Sequence, residues 1–194
     1  MKYLGTLILT ILLIFSAGCI RSLHPLYTDQ DVIFDPDLVG CWSDEGSKEK
    51  WDFSKQDEKQ YRLVYSDDKG ISGTFVVHLL KIDGNMFMDL YPDDPGLKLN
   101  DFYQWHLLGV HNFIYVKQIM PTLQMSFPEM DWLEDLIEAN PEAIRHEMID
   151  DDVVLTASTM ELQAFWLKHL DTEAAFADPS NMKREKTTCS EEAD

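Results

Sequence analysis

Cys19 is the residue of this chain best placed for a defined covalent chemistry. It follows three small residues, Ser16-Ala17-Gly18, which close an uncharged run from Tyr3 to Phe15 behind the single cation Lys2. Small side chains leave a narrow, extended substrate for a peptidase at a membrane face, and a thiol there is within reach of a lipid donor. The run is too short to span a bilayer, whose core needs about 20 apolar residues. Residues 1–18 therefore read as an export signal, and Cys19 as a lipid acceptor. A plain signal peptide cut near Ala17 or Gly18, with Cys19 left free, is the alternative.

Other groupings stop short of a reaction. His146-Glu147 opens the zinc-protease pattern His-Glu-x-x-His, but Asp150 stands where the second His is needed. In "GISG" Gly73 follows Ser72 directly, so the spacing of a nucleophile elbow is missing. His78, His106 and His111 fall on predicted strands without an acidic or Cys partner at ligand spacing. The acidic clusters Asp67-Asp68, Asp93-Asp94 and Asp150 to Asp152 lack the alternation of a calcium loop and read as solvated turns. No catalytic, metal or cofactor residue is assigned, and Cys19 stands as the one site residue.

Charge narrows the partners. The 194 residues hold 16 Lys and Arg against 35 Asp and Glu, a formal charge of −19. Such a chain repels phosphates, which excludes nucleic acid and an anionic membrane surface as electrostatic partners. Membrane attachment must come from lipid.

Ser16-Ala17-Gly18-Cys19 resembles the lipobox of bacterial lipoproteins, although Ser16 stands where that family most often has Leu. The resemblance implies a diacylglyceryl thioether on Cys19, palmitate-type chains, and a new N-terminus at that residue. Each buried CH₂ contributes about 0.8 kcal/mol, so two or three chains hold firmly. The implied address is the bacterial cell envelope. In a two-membrane cell Ile20, rather than Asp, after the Cys fits the outer membrane, facing the periplasm. The whole layout is also similar to small uncharacterised envelope lipoproteins, which imply no activity.

The elements that follow are mainly strands. Residues 19–37, with Pro25 and Pro36, read as a tether whose Leu26, Tyr27, Val32, Ile33 and Phe34 pack partly on the domain. "QYRLVYSD" alternates, and "GTFVVHLLKI" is apolar on both faces, as a doubly covered central strand should be. Asp83-Gly84 predicts a hairpin turn into "NMFMDLY". "FYQWHLL", "NFIYVKQIM" and "TLQMSF" read as further strands, and "RHEMIDDDVVLT" as one strand bent around its acids. An amphipathic helix is inserted at Glu129 to Ala139, with Trp132, Leu133, Leu136 and Ile137 on one face. A second runs from the Ser158/Glu161 capping box to a stop at Asp178-Pro179.

Gly40-Cys41-Trp42 at the head of this meander resembles the Gly-x-Trp of lipocalins and calycins, in which the Trp plugs one end of a barrel. Those barrels also lay an Arg from the last strand across the Trp. Arg145 is the nearest candidate, but it precedes its strand, and the role is not carried over. The expected fold is mainly β: an antiparallel meander forming a lipocalin-like barrel or strongly curved sheet, with one inserted and one C-terminal helix. A single domain spans 38–178, and 179–194 is expected to be a disordered acidic tail. Cys189 lies in that tail, so Cys41 is expected to be a buried thiol rather than half of a disulfide.

Two functions fit these features. One is a non-enzymatic, membrane-anchored envelope lipoprotein that binds a partner protein or a small apolar ligand. The other is an envelope hydrolase with an unrecognised His/Asp site. A dry apolar cavity would favour the first, and a His bonded to Asp and facing a Ser the second.

Overall fold

The computed structural model describes residues 20–94, 96, 98–150, 152–186 and 189; Cys19 and the leader lie outside these. Two short strands, β1 (Arg21–Ser22) and β2 (Val32–Ile33), precede a 3-10 turn at Pro36–Leu38. A meander then runs through β3 (Gly40–Ser43), β4 (Lys50–Lys55), β5 (Tyr61–Ser66), β6 (Ser72–Ile82) and β7 (Asn85–Pro92). After the one-turn helix α1 (Asp101–Gln104) come β8 (Asn112–Gln118) and β9 (Gln124–Ser126). Helix α2 (Met130–Ala139), the hairpin β10 (His146–Ile149) and β11 (Asp152–Leu155), helix α3 (Thr159–His169) and β12 (Lys183–Arg184) complete the order.

The protein is mainly β. Strands β3 to β9 pair antiparallel, each with the next, in a strongly curled sheet, and β12 adds to its first edge. Local chemistry sets the register. Asp83 and Gly84 both have positive φ, 48° and 84°, as a two-residue primed turn demands, and Ile82 faces Asn85 across it.

Alternation on β6 to β8 then feeds two cores. Val77, Leu79, Met88, Ile114 and Val116 point into the curl with Trp42, Phe53, Tyr61 and Leu63. Leu80, Ile82, Phe87 and Phe113 point outward and are covered by Leu133 and Ile137 of α2, Leu162, Phe165 and Trp166 of α3, and Ile20 and Leu26 of the tether. That double cover explains why β6 reads as apolar throughout.

The tail is the largest departure from expectation. Met182 exchanges backbone hydrogen bonds with Leu123, at 2.9 and 3.0 Å, and the Ser180 N–H donates to the Met125 carbonyl at 2.9 Å. On its other side, Lys183 pairs with Ser43 and Arg184 with Trp42. Residues 180–184 thus join the two edges of the curled sheet. Cys189 forms a disulfide with Cys41, Cα to Cα 5.6 Å. Composition alone pointed to disorder, but two sheet edges present unpaired backbone groups, and Met182, 3 % exposed, supplies the apolar anchor.

Other expectations change in smaller ways. "FYQWHLL" forms α1 and a turn rather than a strand, because Asn100 caps the Tyr103 N–H. "RHEMIDDDVVLT" is a hairpin, turning where Asp150 takes φ 51°, and β11 also pairs in parallel with β1. Helix α3 ends at His169, short of Asp178-Pro179.

Trp42 is fully buried, and its Nε1–H donates to the Leu38 carbonyl at 2.9 Å. The Arg laid across it is Arg184, not Arg145: the guanidinium sits 4.9 Å from the ring centroid and donates to the Asp37 carbonyl. Gly40 has φ 138°, and a Cβ there would stand 3.4 Å from the Arg184 side chain. Trp42→Ala should therefore lower stability by about 3–5 kcal/mol in urea unfolding. Trp132→Ala, on a half-buried helix position, should cost less, and a Trp42→Ala loss below about 1 kcal/mol would contradict this role.

Candidate functional site

Inside the curl, Trp42, Leu38 and Tyr61 belong to the packed core, and beside it lies a cavity of about 290 Å³. Its floor is Leu63, Leu90 and Ile114, all buried, and its rim is Trp51, Tyr65, Phe75 and Phe127, all partly exposed. The rim aromatics interlock, with Trp51 centred 5.1 Å from Tyr65 and 6.1 Å from Phe127. These side chains come from β4 to β8, with Phe127 from just after β9, at the end where β5 and β7 finish and β6 and β8 begin.

One polar group breaks the apolar lining. Asn112 opens β8 and alternates inward with Ile114, opposite Leu90. Its Oδ1 is buried and has no hydrogen-bond partner among the described residues. An unpaired buried acceptor costs about 1–3 kcal/mol, which a donor on a bound molecule would recover.

A second constellation lies on the outer face of the same strands. Asp89 is fully buried; one carboxylate oxygen accepts from the Leu26 N–H at 2.7 Å, and the other from His111 Nδ1 at 2.6 Å. His111 is itself tied through its backbone to Ser22, at 2.8 and 2.9 Å. Beside them His78 meets the Gln60 amide at 3.1 Å and lies 4.1 Å from the Tyr27 ring, centroid to centroid. Burial holds the His78 imidazole below its ordinary value, and burial with the Asp89 charge raises the Tyr27 phenol.

No protein-family model, curated protein or solved structure matches this chain.

Among the described residues no serine hydroxyl is hydrogen-bonded to the His–Asp pair. Ser22, its neighbour, donates its hydroxyl to the His24 carbonyl at 2.8 Å rather than to an imidazole. The hydrogen bond of the His111 ring among the described residues is the one to Asp89. Asp89 instead clasps the tether against the sheet. The three histidines also part company: His78 and His111 meet on this face, whereas His106 is exposed after α1, bonded to the Phe102 carbonyl at 2.6 Å. His146 joins the Ile144 carbonyl at 2.9 Å. Among the described residues no three His, Cys, Asp or Glu side chains gather as metal ligands. Cys19 lies outside the described residues.

Asp89 and Asn112 were not singled out from the sequence. A faint signal exists for each: both are polar at positions whose strand neighbours two residues away, Phe87 and Ile114, are apolar and buried.

His78 makes the domain sensitive to acid. Because its folded pKa lies below the unfolded one, the unfolded chain binds the proton first, and stability falls as pH drops below about 6.5. Urea midpoints at about pH 7.5 and about pH 5.5 should differ in the wild type, and less so in His78→Gln. An equal difference in both proteins would show that the imidazole is not responsible.

Proposed function

We propose that this chain is a membrane-anchored envelope lipoprotein, lipidated at Cys19, whose curled sheet binds a small apolar ligand. The observation that carries the reading is the cavity between Leu63, Leu90 and Ile114, with the orphan Asn112 acceptor at its wall. Its volume stands at the lower end of the roughly 300–1,000 Å³ typical of ligand pockets. The ligand is therefore small, mostly hydrocarbon or aromatic, with one N–H or O–H. The lipobox-like Ser16-Ala17-Gly18-Cys19 supports the anchor, and the Gly40-Trp42-Arg184 arrangement supports kinship with lipocalin-type binders. In a two-membrane cell the chain would face the periplasm from the outer membrane.

Binding needs no catalytic group. Displacing water from the aromatic rim contributes about 25 cal/mol per Å² of apolar surface covered, and Asn112 orients the one polar end. N-phenyl-1-naphthylamine, neutral with a single N–H, should brighten on binding. Ile114→Trp should abolish the signal by filling the cavity, and Asn112→Leu should weaken binding roughly tenfold, the worth of about one hydrogen bond. Full fluorescence in Ile114→Trp would place the dye elsewhere. For the anchor, Cys19→Ala should lose labelled fatty acid and its membrane fraction; label retained in the variant would refute lipidation at this residue.

A further inference from the structure

The cavity does not end at its aromatic rim. A second pocket, of about 160 Å³, shares Trp51, Tyr65 and Phe127 with it, so the same three rings wall both spaces. Beyond the rings the lining changes character. The apolar floor and Asn112 belong to the cavity alone, whereas Asp44 and Glu49 belong to the second pocket alone. A molecule reaching from one space into the other therefore meets a neutral acceptor, a hydrocarbon floor, three aromatic rings and two carboxylates.

The two acids are without counter-ions. Glu49 precedes Trp51 by two residues and lines the pocket with it, while Lys48 and Lys50 on either side do not. Lys50 instead binds Glu185 at 2.9 Å. Asp44 comes from the connection between β3 and β4, and its Oδ1 accepts the Asn181 N–H at 3.1 Å. The nearby cations of β12 are engaged elsewhere, Lys183 with Glu45 at 2.7 Å and Arg184 over Trp42. Among the described residues neither Asp44 nor Glu49 has an ion-pair partner, and no Lys, Arg or His lines either space. Burial, and then the Glu49 charge, raise the Tyr65 phenol, which sets that carboxylate close to the rim.

We propose that this site selects a small amine, with an aromatic or hydrocarbon body in the cavity, its N–H or O–H on Asn112, and a protonated amino group held against Trp51, Tyr65 and Phe127 in front of Asp44 and Glu49. A cation is attracted to the face of an aromatic ring, Trp most strongly, and nearby carboxylates add to the attraction. Because Glu49 is exposed, the ammonium keeps part of its hydration, and the desolvation cost of a fully buried ion pair is avoided. A carboxylate on the ligand would meet two acids and no positive group, so the site rejects it. The formal charge of −19 also favours approach of a cation. The inference rests on the apolar-ligand reading of the cavity and adds a positive charge to that ligand.

Three probes on one frame test it by calorimetry with the full chain: tyramine, a cation near neutral pH; tyrosol, in which a hydroxyl replaces the ammonium; and 4-hydroxyphenylacetate, an anion. All keep a phenol O–H for Asn112. Tyramine should bind roughly tenfold more tightly than tyrosol, and 4-hydroxyphenylacetate more weakly than either. Asp44→Asn/Glu49→Gln, which keeps an acceptor for the Asn181 N–H, should bring tyramine down to the level of tyrosol and leave tyrosol unchanged. Unchanged tyrosol binding also reports that the variant is folded. Should the pair of changes prevent folding, Glu49→Gln alone, at an exposed position, should cost tyramine roughly threefold and tyrosol nothing. A tyramine advantage that survives in these variants would overturn the inference, as would its survival in Ile114→Trp, since the cation would then sit elsewhere on the acidic surface. Equal binding of tyramine and tyrosol, or of neither where N-phenyl-1-naphthylamine binds, refutes the amine and leaves the apolar-ligand reading intact. If the naphthylamine and all three probes fail to bind, that reading falls and the inference falls with it.

Discussion

The curled sheet depends on one strap, Ser180 to Arg184, held between its two edges. Without it, β3 and β9 would each present a row of unsatisfied backbone groups to water, and the inward apolar face would lie open. With it, Met182 enters the core and Arg184 covers the ring of Trp42. The Cys41–Cys189 disulfide closes a separation of 148 residues around the strap, and bridging so long a loop restricts the unfolded chain severely. Such a bond persists in an oxidising compartment.

Asp89 is the corresponding constraint on the outer face. A buried carboxylate needs partners for its lone pairs, and it takes them from Leu26 and His111. The tether is thereby fixed over β6 to β8, its Gln163 contact from α3 adds a bond to the Leu26 carbonyl at 2.8 Å, and the helices close the second core above it. The inner face is then free to keep a cavity, because stability does not rely on filling every part of the curl. The tether and the pocket lie on opposite faces of one sheet.

Much of the fold was legible because it is written in short-range patterns. The Asp83-Gly84 turn, the doubly apolar β6, the α2 stripe of Leu133 and Ile137, and the Ser158/Glu161 box each need only a few consecutive residues. The strap was not legible. "NMKREK" is polar locally, and its strand exists only because distant edges meet there. The same holds for Arg184, which lies outside the last long strand where an Arg for Trp42 would be sought. Of the candidate site, Tyr65 and Phe75 could be assigned to strands but not to one cavity, since that grouping follows from curvature. Asn112 and Asp89 acquire meaning only from what buries them.

Amide hydrogen exchange of the oxidised chain addresses the strap most directly. The Leu123 and Met182 amides should be protected alongside those of β3, and in Cys189→Ser this protection should fall while β6 and β7 keep theirs. Unprotected exchange across residues 180–184 in the oxidised protein would contradict a sheet joined at its edges.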